Sequence, residues 1–279
     1  MPSGRAIVPM SPIPSLAGLR CFAPATTAID RMWSANVWSG DDWRPTGIAW
    51  STNTGPLQLV NGSGLLGVQK PGRVAVPNPE YNAPRNPYTA ATEKIVADLA
   101  FVLGLPIPPV TLWDRGAALA AERYVAISAW AFQQPINWRD AESTLNAAQR
   151  SALIPVASAM VPFEFWIGAT DRQNAENVLI SADYLPRIRG AWIDYAYALD
   201  YAWSRNGEGG CAVVPIFPAL GPPDVETMRA VTGAIAELGD AIIERIVSRI
   251  PSTYLPNGIA QRIIRTLVSR RALVGAFSC

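Results

Sequence analysis

The stretch "FEFWIGATDRQNAENVLI", residues 163–180, decides how the whole chain is read. An apolar run ends at Gly168, a polar loop carries Asp171, and Asn177 stands directly before "VLI". The run predicts a helix, the glycine supplies its end, and the closing residues predict a strand. An aspartate in such a loop can orient an acceptor hydroxyl and take its proton, and an asparagine a few residues on can hold a divalent cation. Asp–Arg pairs in loops are usually structural. The information lies in the order helix, Asp, polar loop, Asn, strand.

Downstream, "GAWIDYAYALDY", residues 190–201, places Asp194 immediately after an apolar strand. A carboxylate there can chelate a cation that bridges nucleotide phosphates. Asp200 falls in the following loop and is set aside. Upstream, "LVNGSGLLGVQKP", residues 59–71, is a turn between strands followed by a strand ending in Lys70. The N–H groups of Gly62, Ser63 and Gly64 could receive phosphate oxygens, although glycine-containing hairpins are common.

Only two of the 23 basic residues are lysines, Lys70 and Lys94. A lysine is a compact charge on a flexible stem, whereas arginine is a planar fork of different reach. In "TAATEKIVADLAFVLGLPIPPV", residues 89–110, Ile95, Val96, Leu99, Val102 and Leu103 follow helical spacing. Thr89 or Thr92 is the expected cap, and Gly104 with Pro106 the expected stop. Glu93 on this helix is the expected partner of Lys70, an ion pair that positions nucleotide phosphates. Lys94, on the adjacent face, is expected to point to water.

Composition narrows the chemistry further. The chain has 279 residues, 49% apolar and 16% charged, with a net charge of +1, so no nucleic-acid footprint is expected. It contains no histidine, which removes His-based triads and His-ligated metals. The three cysteines, Cys21, Cys211 and Cys279, are far apart, and a reducing, cytoplasmic compartment is expected. The N-terminus loosely resembles a signal peptide, but prolines interrupt its apolar part, and no membrane-spanning run is present.

The expected fold is α+β in two lobes: an arm at 1–30, a β-rich lobe with one helix at 31–126, and a mostly helical lobe at 127–279. A cleft between lobes is where ligands commonly bind. Trp33, Trp38, Trp43 and Trp50 are expected to cover a small sheet. Pro155 and Pro162 predict breaks or kinks in the helix before Gly168. Residues 202–223 read as an irregular loop. Two helices, the first capped by Asp224, are expected to close the chain.

These segments resemble the HipA-like serine/threonine kinases, an atypical two-lobed protein-kinase-like fold related to the phosphatidylinositol kinases. "GVQKP" resembles their Lys–Pro strand end, and "TEKIVADLAFVLGLPIPPV" their glutamate-bearing helix. "ALAAERYV" resembles the strand into the adenine-holding hinge. "FEFWIGATDRQNAENVLI" and "WIDYAYAL" resemble the catalytic loop and the magnesium-binding segment. The match spans roughly residues 56–205.

The resemblance implies ATP and Mg²⁺ as cofactors. Lys70 becomes the phosphate-contacting lysine and Glu93 its partner. Glu122, Arg123 and Tyr124 become the hinge, Asp171 the catalytic base, and Asn177 and Asp194 the metal ligands. Ser63 lies in the phosphate turn, but the local match is too poor to extend the family's autophosphorylated serine to it.

Three departures stand out. The Asp-to-Asn spacing is one residue longer than usual, which leaves Asn174 as an alternative to Asn177. Gln173 stands where many relatives carry histidine. The N-terminal part is short, so the family's DNA-binding protein partner is not implied. The leading expectation is a kinase acting on a protein hydroxyl, with room for a regulatory protein partner. A small-molecule or lipid kinase, a nucleotide-binding pseudokinase or scaffold, and an adenylyltransferase are the alternatives.

Overall fold

The computed structural model describes residues 36–39, 43–50, 56–70, 72, 86–116, 123–132, 134–169, 174–181, 188–199 and 217–274. Its N-terminal half is built on β1 (Val37–Ser39), β2 (Arg44–Ala49), β3 (Leu57–Val60), β4 (Leu66–Lys70), β5 (Val110–Asp114) and β6 (Tyr124–Ala129). They form one sheet in the order β1-β5-β6-β4-β3-β2. Only β1 and β5 pair in parallel; the others are antiparallel.

Strand alternation gives this sheet two distinct faces. Gly67 opposes Ala129 in the register, and a Cβ on Gly67 would lie 2.5 Å from Ile127 Cγ2. Only glycine fits there. On that outer face Trp43, Leu59, Trp113 and Ile127 form a small core, with Trp38 packed against it. Trp38 and Trp43 meet edge to face at 5.7 Å, so these two do cover the sheet. Trp33 lies outside the described residues.

On the inner face, Leu112 and Ala126 join the main core with α1 (Thr89–Leu103). Every residue of α1 is buried except Phe101, which is half-buried. Gly104 ends the helix in the left-handed region at φ 74°, and its amide donates to Phe101 O. The start differs from expectation, because neither threonine caps it. Asn86 Oδ1 instead accepts from Tyr88 N at 2.8 Å, and Thr89 Oγ1 donates to Asn86 O at 3.2 Å.

Lys94 is not in water. Its side chain is fully buried, 2.7 Å from Asp98 one turn along. Helical periodicity had left this face polar, but helices from the C-terminal half cover it, so it is an interior face. Burial lowers the Lys94 ammonium to about 8, opposed by Asp98 and reinforced by Arg249. Burial likewise raises the Asp98 carboxyl.

Lys94→Met alone strands Asp98 in the core and is expected to cost about 3–5 kcal/mol in denaturant unfolding. Adding Asp98→Leu should recover most of that loss. The unfolded lysine keeps its proton to about pH 10.4. Between about 8 and that value the unfolded chain binds more protons, so stability rises with pH across the window. The double variant should lack the rise.

The C-terminal half centres on α2 (Ala147–Ile167), which opens with a reciprocal capping box between Asn146 and Gln149. Pro155 and Pro162 sit inside it without ending it, contrary to the expected breaks. Each proline removes one helical donor. The burial of Leu153, Ala157, Met160, Phe163 and Trp166 along the same helix outweighs that loss. A second sheet, β7 (Pro135–Asn137), β8 (Val178–Ser181) and β9 (Arg189–Trp192), is antiparallel throughout.

The chain closes with α3 (Val225–Glu237), α4 (Asp240–Ser248) and α5 (Asn257–Val274). Asp224 caps α3 as expected, accepting from Glu226 N and Thr227 N. The single helix expected over this stretch is split at Leu238 and Gly239, where Gly239 takes an extended conformation and starts α4. Trp166 Nε1 donates to Leu267 O at 2.9 Å, and Arg270 Nε donates to Trp166 O at 2.9 Å, fastening α5 to α2. Among the described residues, no helix is long and apolar enough to cross a membrane.

Candidate active site

The register that places Gly67 on the outer face turns Val68 and Lys70 to the inner one. Lys70 Nζ lies 3.3 Å from Asp194 Oδ1 and 3.8 Å from Glu93 Oε1. The Lys70 and Glu93 side chains are 9% and 4% exposed, whereas that of Asp194 is 31% exposed. One ammonium is therefore held by a buried carboxylate behind it and a half-open carboxylate in front. Three segments distant in sequence meet here: the end of β4, the second turn of α1 and the second residue beyond β9.

Asp194 has φ 62°, in the left-handed region. A residue with a Cβ adopts that conformation at a cost of roughly 1–2 kcal/mol, and Asp tolerates it better than most. Its surroundings hold it there. Ile193 N donates to Asn177 O at 2.9 Å. Tyr195 N donates to Glu93 Oε1 at 3.2 Å, and Tyr195 Oη donates to Glu164 Oε1 at 3.1 Å. Asn86 Nδ2 donates to the Ala196 carbonyl.

Asn177 ends a short 3-10 turn, Ala175–Asn177, directly before β8, and is buried. Asn174 starts that turn, and its side-chain oxygen accepts from Glu176 N at 3.1 Å. The amide of Asn174 is thus engaged in capping, while Asn177 is fixed by the backbone bond to Ile193. Asp171 and Gln173 lie outside the described residues, as do Glu122 and Asp200.

Strand geometry places two of the expected groups away from Lys70 or from the link between lobes. The turn holding Gly62, Ser63 and Gly64 joins β3 to β4 at Leu66, the opposite end of β4 from Lys70. At about 3.3 Å per residue the turn is more than 10 Å along the strand from the ammonium. Its donors are also used internally: Asn61 Oδ1 accepts from Ser63 N at 3.0 Å and Leu65 N at 2.9 Å, and Gly64 N donates to Asn61 O at 3.0 Å. The connection at the Lys70 end is the one between β2 and β3, closed by Trp50 N donating to Pro56 O at 3.2 Å. Its residues 51–55 lie outside the described residues.

The second group is Arg123 and Tyr124. Tyr124 begins β6 opposite Asp114, whereas the chain passes to the helical half after Ala129 at the other end of that strand. Arg123 forms a two-pronged pair with Asp114, Nε–Oδ1 2.6 Å and Nη2–Oδ2 2.8 Å, which holds the Asp114 carboxyl below the usual range. Tyr124 packs edge to face on Tyr254 at 5.1 Å. Both residues fasten the sheet rather than line the link between lobes. A Cβ on Gly72 would lie 1.9 Å from Tyr124 O, so the glycine of "KPG" is required by this close approach.

The link itself starts at Trp130, whose amide donates to Leu66 O at 3.0 Å, extending the ladder. By alternation from Ala126 and Ser128, Trp130 falls on the Lys70 side of the sheet. It stacks on Trp50 at 5.9 Å and 23° between planes. Sequence reasoning missed this pair, and also Tyr195 and Glu164. The missing signal was tertiary, since no local pattern relates the residue after β2 to the residue after β6, and only their rings meet in the fold.

No protein-family model matches the sequence, and no curated protein matches it. Among solved structures, the chain is similar to a Fam20 protein of hydra solved with sugar, at 12% identity and a TM-score of 0.51, covering 90% of each chain. It is also similar to a Golgi casein kinase with Mn and ADP bound, at 8% identity and a TM-score of 0.48, covering 88% of this chain and 74% of that one. A third is WaaP in complex with acyl carrier protein, at 11% identity and a TM-score of 0.38, covering 82% and 89%. The likeness is one of fold. The chain has a two-lobed, protein-kinase-like α+β architecture, with a sheet-based N-terminal half and a helical C-terminal half.

Proposed function

We propose that this chain is an ATP-dependent phosphotransferase that passes the terminal phosphoryl group to a hydroxyl, in the manner of a serine/threonine protein kinase. The observation that carries the reading is Lys70, held between Glu93 and a left-handed Asp194. Lys70 sets a positive charge where phosphate oxygens would lie, and Glu93 fixes its direction. Asp171 takes the proton of the attacking hydroxyl. Such catalysis is mostly positioning and charge stabilisation, which a chain without histidine can supply.

A divalent cation fits the donors present. Asn177 and Asp194 offer hard oxygen atoms, joined through the Asn177–Ile193 backbone bond, and the Asp194 side chain is open to solvent. Among the described residues no cluster of three or more His, Cys, Asp or Glu side chains forms a closed metal cage. That pattern suits Mg²⁺, which takes one or two protein ligands and completes its shell with phosphates and water. The cation would neutralise charge on the phosphates.

The stacked Trp50 and Trp130, on the Lys70 side of the sheet, are the proposed seat of the nucleobase. Calorimetric titration with Mg²⁺ and a non-hydrolysable ATP analogue tests these assignments. Trp130→Ala is expected to weaken binding about tenfold, since stacking on one aromatic contributes about 1–3 kcal/mol. Arg123→Ala is expected to leave affinity within about twofold, because its carboxylate partner belongs to the sheet. The reverse pattern would restore the hinge at residues 122–124.

A further inference from the structure

We propose that Tyr195 is a positioning residue, whose hydroxyl, anchored on Glu164, keeps Asp194 turned toward the cation. This rests on the reading of Asp194 as a metal ligand. Tyr195 donates twice, and in two directions. Its amide reaches Glu93 on α1 at 3.2 Å, and its hydroxyl reaches Glu164 near the end of α2 at 3.1 Å. One residue therefore joins the glutamate behind Lys70 to the helix that leads into the Asp171 loop.

Burial makes the second contact consequential. Tyr195 is 1% exposed and Glu164 0% exposed, so water cannot replace a lost donor cheaply. The same segment is tied to α2 once more. Leu199, also left-handed at φ 59°, donates its amide to Ile167 O at 2.8 Å. Glu164 and Ile167 lie one turn apart on α2. The final turn of α2 thus fixes both ends of the segment that starts at Asp194.

A strained backbone persists only where its surroundings over-determine it. Asp194 itself carries the left-handed angle, and the residue immediately after it carries the two anchors. Without the hydroxyl, Tyr195 keeps its packing and its amide bond but loses its hold on α2. Asp194 is then free to spend time in ordinary conformations that face away from Lys70. The result is weaker cation uptake, beyond the stability lost when the buried Glu164 loses this donor.

The test is calorimetric titration of Mn²⁺ into protein saturated with a non-hydrolysable ATP analogue, with thermal melting in parallel. Tyr195→Phe is expected to raise the Mn²⁺ concentration for half-saturation about tenfold, as befits one lost buried hydrogen bond. Its affinity for the analogue without metal should stay within about twofold. Glu164→Gln, which keeps an oxygen acceptor, should lie closer to wild type than Tyr195→Phe does. A Tyr195→Phe variant that melts earlier but takes up Mn²⁺ as wild type does would overturn the inference and leave the site reading intact. Wild-type protein that takes up no Mn²⁺ with the analogue would overturn both.

Discussion

Lys70→Arg is expected to reduce phosphoryl transfer by about 10²-fold or more, nearly as far as Lys70→Ala. The reason is the shape of the cage. Lys70 is almost fully buried, with a carboxylate at 3.3 Å in front and another at 3.8 Å behind. A guanidinium is wider, and its donors leave in a fixed plane, so it cannot direct one charge along the line between Glu93 and Asp194. It would pair sideways with one carboxylate and displace the other.

Because Tyr195 N also bonds Glu93, that displacement would spread to the residue after Asp194. Steady-state kinetics should show the loss mainly in kcat, with a melting temperature close to that of Lys70→Ala. Full activity in the arginine variant would mean that the ammonium is not specifically required.

The other lysine follows the same logic in a structural role. Lys94 and Asp98 form a closed pair under the C-terminal helices, and the space is filled by a compact ammonium. A chain that places arginine at almost every basic position keeps lysine at two buried sites facing carboxylates. The scarcity of lysine was legible in the sequence. The burial of Lys94 was not, because α1 looks amphipathic until the helices beyond residue 224 are folded over it.

The same division runs through the site. Local patterns located the strand ending in Lys70, the helix of Glu93, the strand after Asn177 and the strand before Asp194, each within a few residues. These are short-range signals: alternation, helical spacing and glycine stops. Which end of a strand faces the ligand is a long-range property. The Gly62–Gly64 turn adjoins the strand of Lys70 in sequence yet lies at its far end, and "ERY" starts the strand whose other end leads to the helical half.

Prolines misled for a related reason. Their local cost in α2 is real, but the buried side chains on either side exceed it. Tyr195 carried no sequence signal at all. Nothing in "WIDYAYAL" distinguishes the tyrosine that reaches Glu164 from the one two residues later.

In the proposed reaction the general base is Asp171, which falls in sequence between Gly168 at the end of α2 and the turn that Asn174 caps. Removing a positioned general base typically lowers the rate by about 10²–10⁴-fold. Asp171→Asn keeps the size of the side chain and its capacity to accept a hydrogen bond, but it cannot take the proton. Nucleotide affinity should therefore persist, within about threefold, since the proposed role of the residue is proton transfer from the acceptor and not phosphate binding.

The most direct measurement incubates wild type and Asp171→Asn with ATP labelled at its terminal phosphate, Mg²⁺ and a cell lysate, and follows label into hydroxyl groups by mass spectrometry. Added phosphate is expected in the wild-type reaction and at least about 10²-fold less in the variant. Equal labelling by the two proteins, addition of AMP, or no labelling by wild type would contradict the proposed function.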